Sequence, residues 1–515
     1  MANDISDVTV NITVEDVVNP AAFGGICLYT PMSTTGVDPD LPYTEVYSYD
    51  EAKAVVGASN MKSVYSGYSL DISKVTTGSV QKATLDALNT GKYTFLGSSY
   101  DAESNSKTIN GKSYTKRIKA ISDDNGIQIQ PTSTGAYIGV ACCGSSADKS
   151  VTLMLKDTSG NVIDSKTLEG SDPVYVSLQV GSISNKVTLC STSNDGATVH
   201  IYGIEQSLIT INARKMLDMV QIAFMQENPP EKIGLLSCLP DVIENYLNCD
   251  WRYMVLCKTS SSTTAVSDLA SYIESCGAYK VLALDLLTED PGSSGGDGDG
   301  FLYNHYKNAY ENFKSFERTF AYVGVPAYDA DGESTSNSIC TALLAHTGNK
   351  TVGSYTYKNM SLKGVYADEG ITKSKLEEYH DINVNAYVHK AGYDVTSEGK
   401  LANGEYIDIL DAKDWLITQI RYQLQQVLIT NDKVPYTNNG IALLENTVVN
   451  VLQDAYNNGM IAEDDDGNPS YSVNFAGRSD TKASDREKRQ YMEGKFSFEL
   501  AGAIHTVTVN GTIRI

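Results

Sequence analysis

The hydrophobic pattern is clearest at the two ends of the chain. Val507, Val509, Ile513 and Ile515 share one parity, while Thr506, Thr508, Asn510, Thr512 and Arg514 occupy the other. Near the start, Val8, Val10, Ile12 and Val14 alternate with Thr9, Asn11 and Thr13 in the same way. Period-two alternation predicts a strand with one face to bury. Two readings are open. The terminal strands are tied down inside their own monomer, as terminal strands ordinarily are, or they add to the sheets of neighbouring subunits, because an unpaired edge is a template for another chain.

Between the ends the texture changes three times. "GGICLYT" predicts a buried strand, and "SYDEAKAVVGA" a short helix with Ser48 at the cap and Gly57 at the stop. From about 61 to 208 the chain is rich in Ser, Thr, Gly, Asn and Tyr, and runs such as "GIQIQP", "AYIGVAC" and "SVTLMLKD" are separated by turn signals. Short strands at this spacing predict an all-β sandwich. Leu217, Val220 and Phe224 then recur at helical spacing. Strands "KIGLLSC", "WRYMVLC", "YKVLALDLL" and "RTFAYVGVP" follow, separated by helices predicted over "PDVIENYLN", "AVSDLASYIESC" and "YNHYKNAYENFKSF". That alternation predicts an α/β layer with a largely parallel sheet.

The last third holds two more helices. Leu416, Ile420, Leu424 and Leu428 fall four apart and predict one buried stripe. Ile441, Leu444, Val448, Val451 and Ala455 turn inward on the second, which ends where Gly459 can take the left-handed cap. The acidic "AEDDDGNP" predicts a solvated loop before the terminal strands. The β-rich block therefore reads as a domain inserted into an α/β domain, which is tolerated where the host's chain ends lie close together.

At 515 residues the chain exceeds one comfortable core. Its net charge of -23 argues against nucleic acid as a partner, since phosphate binding needs basic patches. Nine cysteines without a C-x-x-C pair signal neither a disulfide framework nor a zinc site. The N-terminus lacks a basic-then-apolar signal, and no run approaches the roughly 18 apolar residues of a membrane helix. The expectation is a protein assembled in a cytoplasm, without membrane insertion.

Chemistry is sparse. Six scattered histidines sit in no metal or nucleophile motif. The acidic glycine loops at 295–300, 329–333 and 464–467 read as loops, and the middle one fails the calcium pattern because Ala327 and Ser338 stand at its first and last positions. No catalytic, cofactor-binding or metal residue is expected, and the chain reads as no enzyme. An enzyme acting on envelope polysaccharide would need a carboxylate pair that the sequence does not announce.

The strings "GEYIDILDAKDWLITQI", "QQVLITNDKVPYTNNGIALLENTVVNVL" and "KFSFELAGAIHTVTVNGTI" resemble the C-terminal domain of contractile phage tail sheath proteins and the sheaths of related injection particles. "LKGVYADEGITKSKLEEYHDINVNAYV" extends the resemblance upstream, and "YTEVYSYDEAKAVVGAS" with "MVQIAFMQENPPEKIGLLS" looks like two consecutive stretches of that family with a block placed between them. The implied fold is an α/β (α+β) sheath core, discontinuous in its N-terminal part, with an inserted all-β sandwich and terminal strand-exchange arms. Its parts are an N-terminal arm at 1–20, an α/β sheath domain at 21–60 and 209–350, the outer-surface sandwich at 61–208, the shared C-terminal sheath domain at 351–495 and a C-terminal arm strand at 496–515.

The resemblance further implies that the arms complete sheets in adjacent subunits through Val8, Val10, Ile12, Val14, Val507, Val509, Ile513 and Ile515. The partners it implies are other copies in stacked, hexameric rings forming a helical tube, a tail tube protein, and baseplate and tail terminator proteins. The product is a virion tail assembled in the host bacterial cytoplasm. "TINGKSYTKRIKA" and "ATVHIYGIE" in the inserted block are similar to β-sandwich domains attached to pectate lyases. There the block either decorates the outside or binds surface glycans, with an exposed Tyr114 or Tyr137 stacking beside Lys116 or Arg117. The competing function is a secreted or surface glycan-binding protein built around that sandwich.

Overall fold

The computed structural model describes residues 24–31, 41–58, 62–64, 69–89, 91–109, 112–132, 136–180, 185–193, 196–209, 211–257, 263–277, 279–287, 301–325, 327–328, 334–335 and 337–505. The chain divides into two units, residues 50–214, and residues 1–49 with 215–515.

The larger unit is built on a nine-stranded sheet. Its main path runs Leu41–Val46, Ile233–Cys238, Ile26–Pro31, Tyr253–Leu256, Val281–Leu287, Thr319–Gly324, Asn385–Lys390 and Tyr393–Thr396. The pair at each end of this path is antiparallel, and every pair inside those two is parallel. Every residue of Ile233–Cys238, Tyr253–Leu256 and Thr319–Gly324 is buried, as a parallel sheet covered on both faces requires. Ile26 aligns with Ile233 on one side and Tyr253 on the other. The short piece preceding the other unit in sequence is thus a central strand of this sheet.

Two helices expected from the sequence take other forms. Pro240–Tyr246 is a 3-10 helix that begins on its proline. The stretch after Phe301–Leu302 forms two short helices, Tyr303–Asn308 and Tyr310–Phe313, interrupted at Ala309, whose backbone leaves helical geometry at φ -103° and ψ 9°.

Residues 50–214 form a β-sandwich. One sheet orders Val174–Gln179, Tyr137–Gly144, Val199–Ile209, Lys112–Ile121, Ser99–Ile109 and Gly78–Gln81, with two short strands also pairing with Val199–Ile209. The other orders Val162–Glu169, Ser150–Lys156, Val187–Thr192, Ile127–Ile129 and Tyr93–Phe95. Ile118, Ile138, Val140, Leu153, Leu189 and Ile201 meet in the core between them. The helix Tyr49–Ala58, expected with the first α/β piece, falls in this unit from Asp50 onward. Gly57 explains the packing: a Cβ there would lie 2.8 Å from Cε1 of Tyr137, so only glycine lets the helix approach that ring.

Candidate assembly interface

The last part of the larger unit is a pair of helices carrying a two-stranded sheet. The first helix, Ile407–Thr430, buries Leu416 and Ile420, while Leu424 is half-buried and Leu428 is 36% exposed. The expected stripe therefore closes after its first half. The second helix, Asn438–Asn457, is capped by Thr437, whose Oγ1 accepts from the Gly440 amide at 3.3 Å. Ile441, Val448, Val451 and Ala455 are buried on it, and Leu444 is half-buried. Gly459 takes φ +75° just beyond its end, and the Met460 amide donates back to the Ala455 carbonyl at 3.0 Å.

The buried face of the first helix also carries two acids. Asp411 Oδ1 accepts from Arg252 Nη2 at 2.6 Å, and its Oδ2 accepts from the hydroxyls of Tyr253 at 2.8 Å and Tyr357 at 2.7 Å. Asp414 Oδ2 accepts from Arg252 Nη1 at 3.0 Å and Arg318 Nη1 at 2.8 Å, while its Oδ1 accepts from Arg318 Nη2 at 3.0 Å. Burial pushes the Arg252 guanidinium down, but Asp411 and Asp414 more than offset this and hold it well above its ordinary range. Burial, then the Asp411 carboxylate, pushes the Tyr253 and Tyr357 hydroxyls up, so both remain donors. The network joins the helix pair to the parallel sheet through the chain around Tyr253–Leu256. Sequence reasoning passed over these residues. The signal was present: Asp411 and Asp414 lie three apart, on the face that also buries Leu410 and Ile417.

Tyr471–Phe475 and Gly494–Phe498 pair antiparallel, with Tyr471 opposite Phe498 and Val473 opposite Phe496. Tyr471, Val473, Phe475, Phe496, Phe498 and Leu500 pack on the cluster made by Leu416, Ile420, Val448 and Val451. The ring of Phe475 crosses its partner strand over Gly494, where a Cβ would lie 2.8 Å from Cζ. Ser472, Asn474, Lys495 and Ser497 face outward and are exposed. Among the described residues this sheet has two strands; on the Tyr471–Phe475 edge the Tyr471 and Phe475 amides already donate to the Pro469 carbonyl at 2.9 Å and to Glu445 Oε1 at 3.2 Å, so the freer edge for another strand is Gly494–Phe498. A lone hairpin is marginal in water, and this one is held by the helices on a single face.

The acidic loop before it satisfies itself. Asp464 Oδ1 accepts from the amides of Asp466 at 3.0 Å and Asn468 at 2.8 Å, and Gly467 takes φ +80°. The loops at 295–300 and 329–333 lie outside the described residues. So do Val8, Val10, Ile12, Val14, Val507, Val509, Ile513 and Ile515.

The glycan contact expected on the sandwich requires correction. Tyr114 and Tyr137 are each 3% exposed, so neither presents an open ring for a sugar to stack on. Tyr114 lies across Gly203, where a Cβ would sit 2.7 Å from Cε1, and Tyr137 is taken up by Gly57. Lys116 Nζ donates to the Val75 carbonyl. Arg117 Nε donates to Glu103 Oε1 at 2.6 Å, and its Nη1 lies 2.9 Å from Cys143 Sγ. Strand alternation places all four on the sandwich but does not say which face packs.

Residues 407–513 match the family model described as "E217 tail sheath protein gp31-like, C-terminal domain". No curated protein matches the chain. Among solved structures, the chain is similar to the sheath complex of the extracellular contractile injection system PVC in its contracted state, at 12% identity and a TM-score of 0.44, covering 58% of this chain and 80% of that one. It is similar to the sheath tail protein of Desulfitobacterium hafniense at 11% identity and a TM-score of 0.38, covering 91% and 93%. It is also similar to the carbohydrate-binding module CBM36 in complex with calcium and xylotriose, at 15% identity and a TM-score of 0.16, covering 26% and 99%. Likenesses this distant carry no functional weight. The family match falls on the helix pair and its hairpin, so that over residues 407–513 the chain is similar to the C-terminal domain of tail sheath proteins.

Proposed function

We propose that the chain polymerises into a sheath around a tail tube and contracts to drive the tube through a bacterial envelope. The observation that carries this is the hairpin Tyr471–Phe475 and Gly494–Phe498, with one face packed on the helix pair and, among the described residues, no further strand paired on its Gly494–Phe498 edge. The alternating segments at 8–14 and 507–515 are the donors: backbone hydrogen bonds fix their register, and the Val and Ile side chains fill pockets on one face. Donated strands stay paired while linkers flex, so neighbours rotate without parting. The work is stored at assembly as a difference between two packings of the same surfaces.

The tube protein, baseplate and terminator are the partners of such a subunit, and the virion tail is its place. No nucleotide or metal is needed for the cycle. A glycan contact made through Tyr114 or Tyr137 is not favoured, because both rings are buried.

Removing residues 1–14 tests the donor role. Sedimentation velocity is expected to show a folded monomer that does not polymerise, whereas large assemblies from this variant would overturn strand exchange through the N-terminal segment.

A further inference from the structure

His505 closes the described part of the chain, and it is held. Ile504 beside it is 84% exposed, while the His505 side chain is 14% exposed. Nε2 lies 3.1 Å from Thr356 Oγ1, Nδ1 lies 3.3 Å from Glu398 Oε2, and the ring meets Tyr406 edge-on with centroids 4.8 Å apart. These three walls come from separate places. Thr356 lies in the segment that rests on the first long helix through Gly353, Glu398 follows the strand Tyr393–Thr396, and Tyr406 immediately precedes the helix.

The pocket is itself braced. Lys358 pairs with Glu398 Oε1, the Tyr322 hydroxyl donates to the Glu398 carbonyl at 2.6 Å, and Lys400 Nζ stands 5.9 Å from the Tyr406 ring centre. Burial pushes the Glu398 carboxyl up, but Lys358 first, then His380 and His505, hold it below the usual carboxylate range. The ring therefore faces a carboxylate.

We propose that His505 is the positioning residue for the C-terminal strand, fixing the point from which residues 506–515 leave the subunit. This rests on the reading of that segment as a donated strand. His505 does not enter the neighbour's sheet. It acts through the strand it holds, raising that strand's effective concentration at an acceptor edge by restricting where it can go.

The test compares the full chain with His505→Ala, His505→Gln and a chain ending at His505, each incubated alone. The readouts are the critical concentration for tube growth, the thermal midpoint, and amide exchange across residues 499–505. His505→Ala is expected to keep its thermal midpoint, exchange faster at 499–505, and need about tenfold more protein to form tubes. His505→Gln, which keeps a hydrogen-bonding partner for Thr356, falls between. His505→Ala still joins tubes seeded by the unaltered chain, because its own hairpin is intact. If either His505 variant grows tubes at the unaltered concentration while the chain ending at His505 grows none, the positioning role is overturned and strand donation stands. Tubes from the chain ending at His505 would overturn donation, and the positioning role with it.

Discussion

Arg252 and Asp411 meet at 2.6 Å with side chains 2% and 0% exposed, one beside a central strand of the parallel sheet and the other on the helix Ile407–Thr430. Two buried charges repay their desolvation only when geometry and extra hydrogen bonds are good, and here Tyr253, Tyr357, Asp414 and Arg318 complete the set. The helix pair is thereby fixed to the sheet.

Removing the Asp411 charge leaves two guanidinium groups, Arg252 and Arg318, sharing the one buried carboxylate of Asp414. Asp411→Asn is expected to destabilise the larger unit by about 3–5 kcal/mol. Denaturant unfolding read separately from the two units checks this, with the transition of residues 50–214 unmoved. A change below about 1 kcal/mol would mean that the network is not a joint.

Gly353 holds the segment carrying Thr356 and Tyr357 against the same helix. Its φ is +84°, and a Cβ would lie 2.6 Å from Cα of Ala412. The left-handed backbone alone costs a side chain about 1–2 kcal/mol, and the helix backbone cannot move aside. Gly353→Ala is expected to lower the thermal midpoint of the larger unit by several degrees, measured by calorimetry.

Asp285 gives the larger unit a pH dependence. Burial pushes its carboxyl up to about 6, although the Cys340 amide at 2.9 Å and the Ser338 hydroxyl donate to it and pull the other way. An unfolded aspartate titrates near 3.9, so between about 4 and 6 the folded state holds the proton more tightly. Stability is then full below about 4 and falls as pH rises towards 6, by on the order of 3 kcal/mol. Carboxyl carbon shifts should place this titration near 6, and Asp285→Asn should remove the slope.

Because Ile26–Pro31 completes the parallel sheet without the sandwich, the sandwich is expected to be dispensable for assembly. Excising residues 50–210, which leaves the helix Ile211–Phe224 whole, should yield a soluble chain that still forms tubes. Aggregation of that chain would mean that the host fold depends on the inserted unit.

Much of this architecture was legible in the sequence, because period two and period 3.6 report which face is buried. The all-buried strand Ile233–Cys238, the inward Val448 and Val451, and the Gly459 cap are of this kind. What was not legible depends on partners distant in the chain. Arg252 finds Asp411 only once sheet and helix are assembled, and Tyr137 is buried because glycine opens a place for it at position 57. Alternation likewise could not tell Tyr114 from a surface aromatic, since both faces of its sheet carry packed side chains.

The most direct measurement is electron microscopy of the intact chain, expressed alone, beside the chain ending at His505. Hollow helical tubes from the intact chain and dispersed particles from the shortened one are the result expected if the Gly494–Phe498 edge of the hairpin is completed by a neighbour's C-terminal strand. Tubes from both chains would contradict that account.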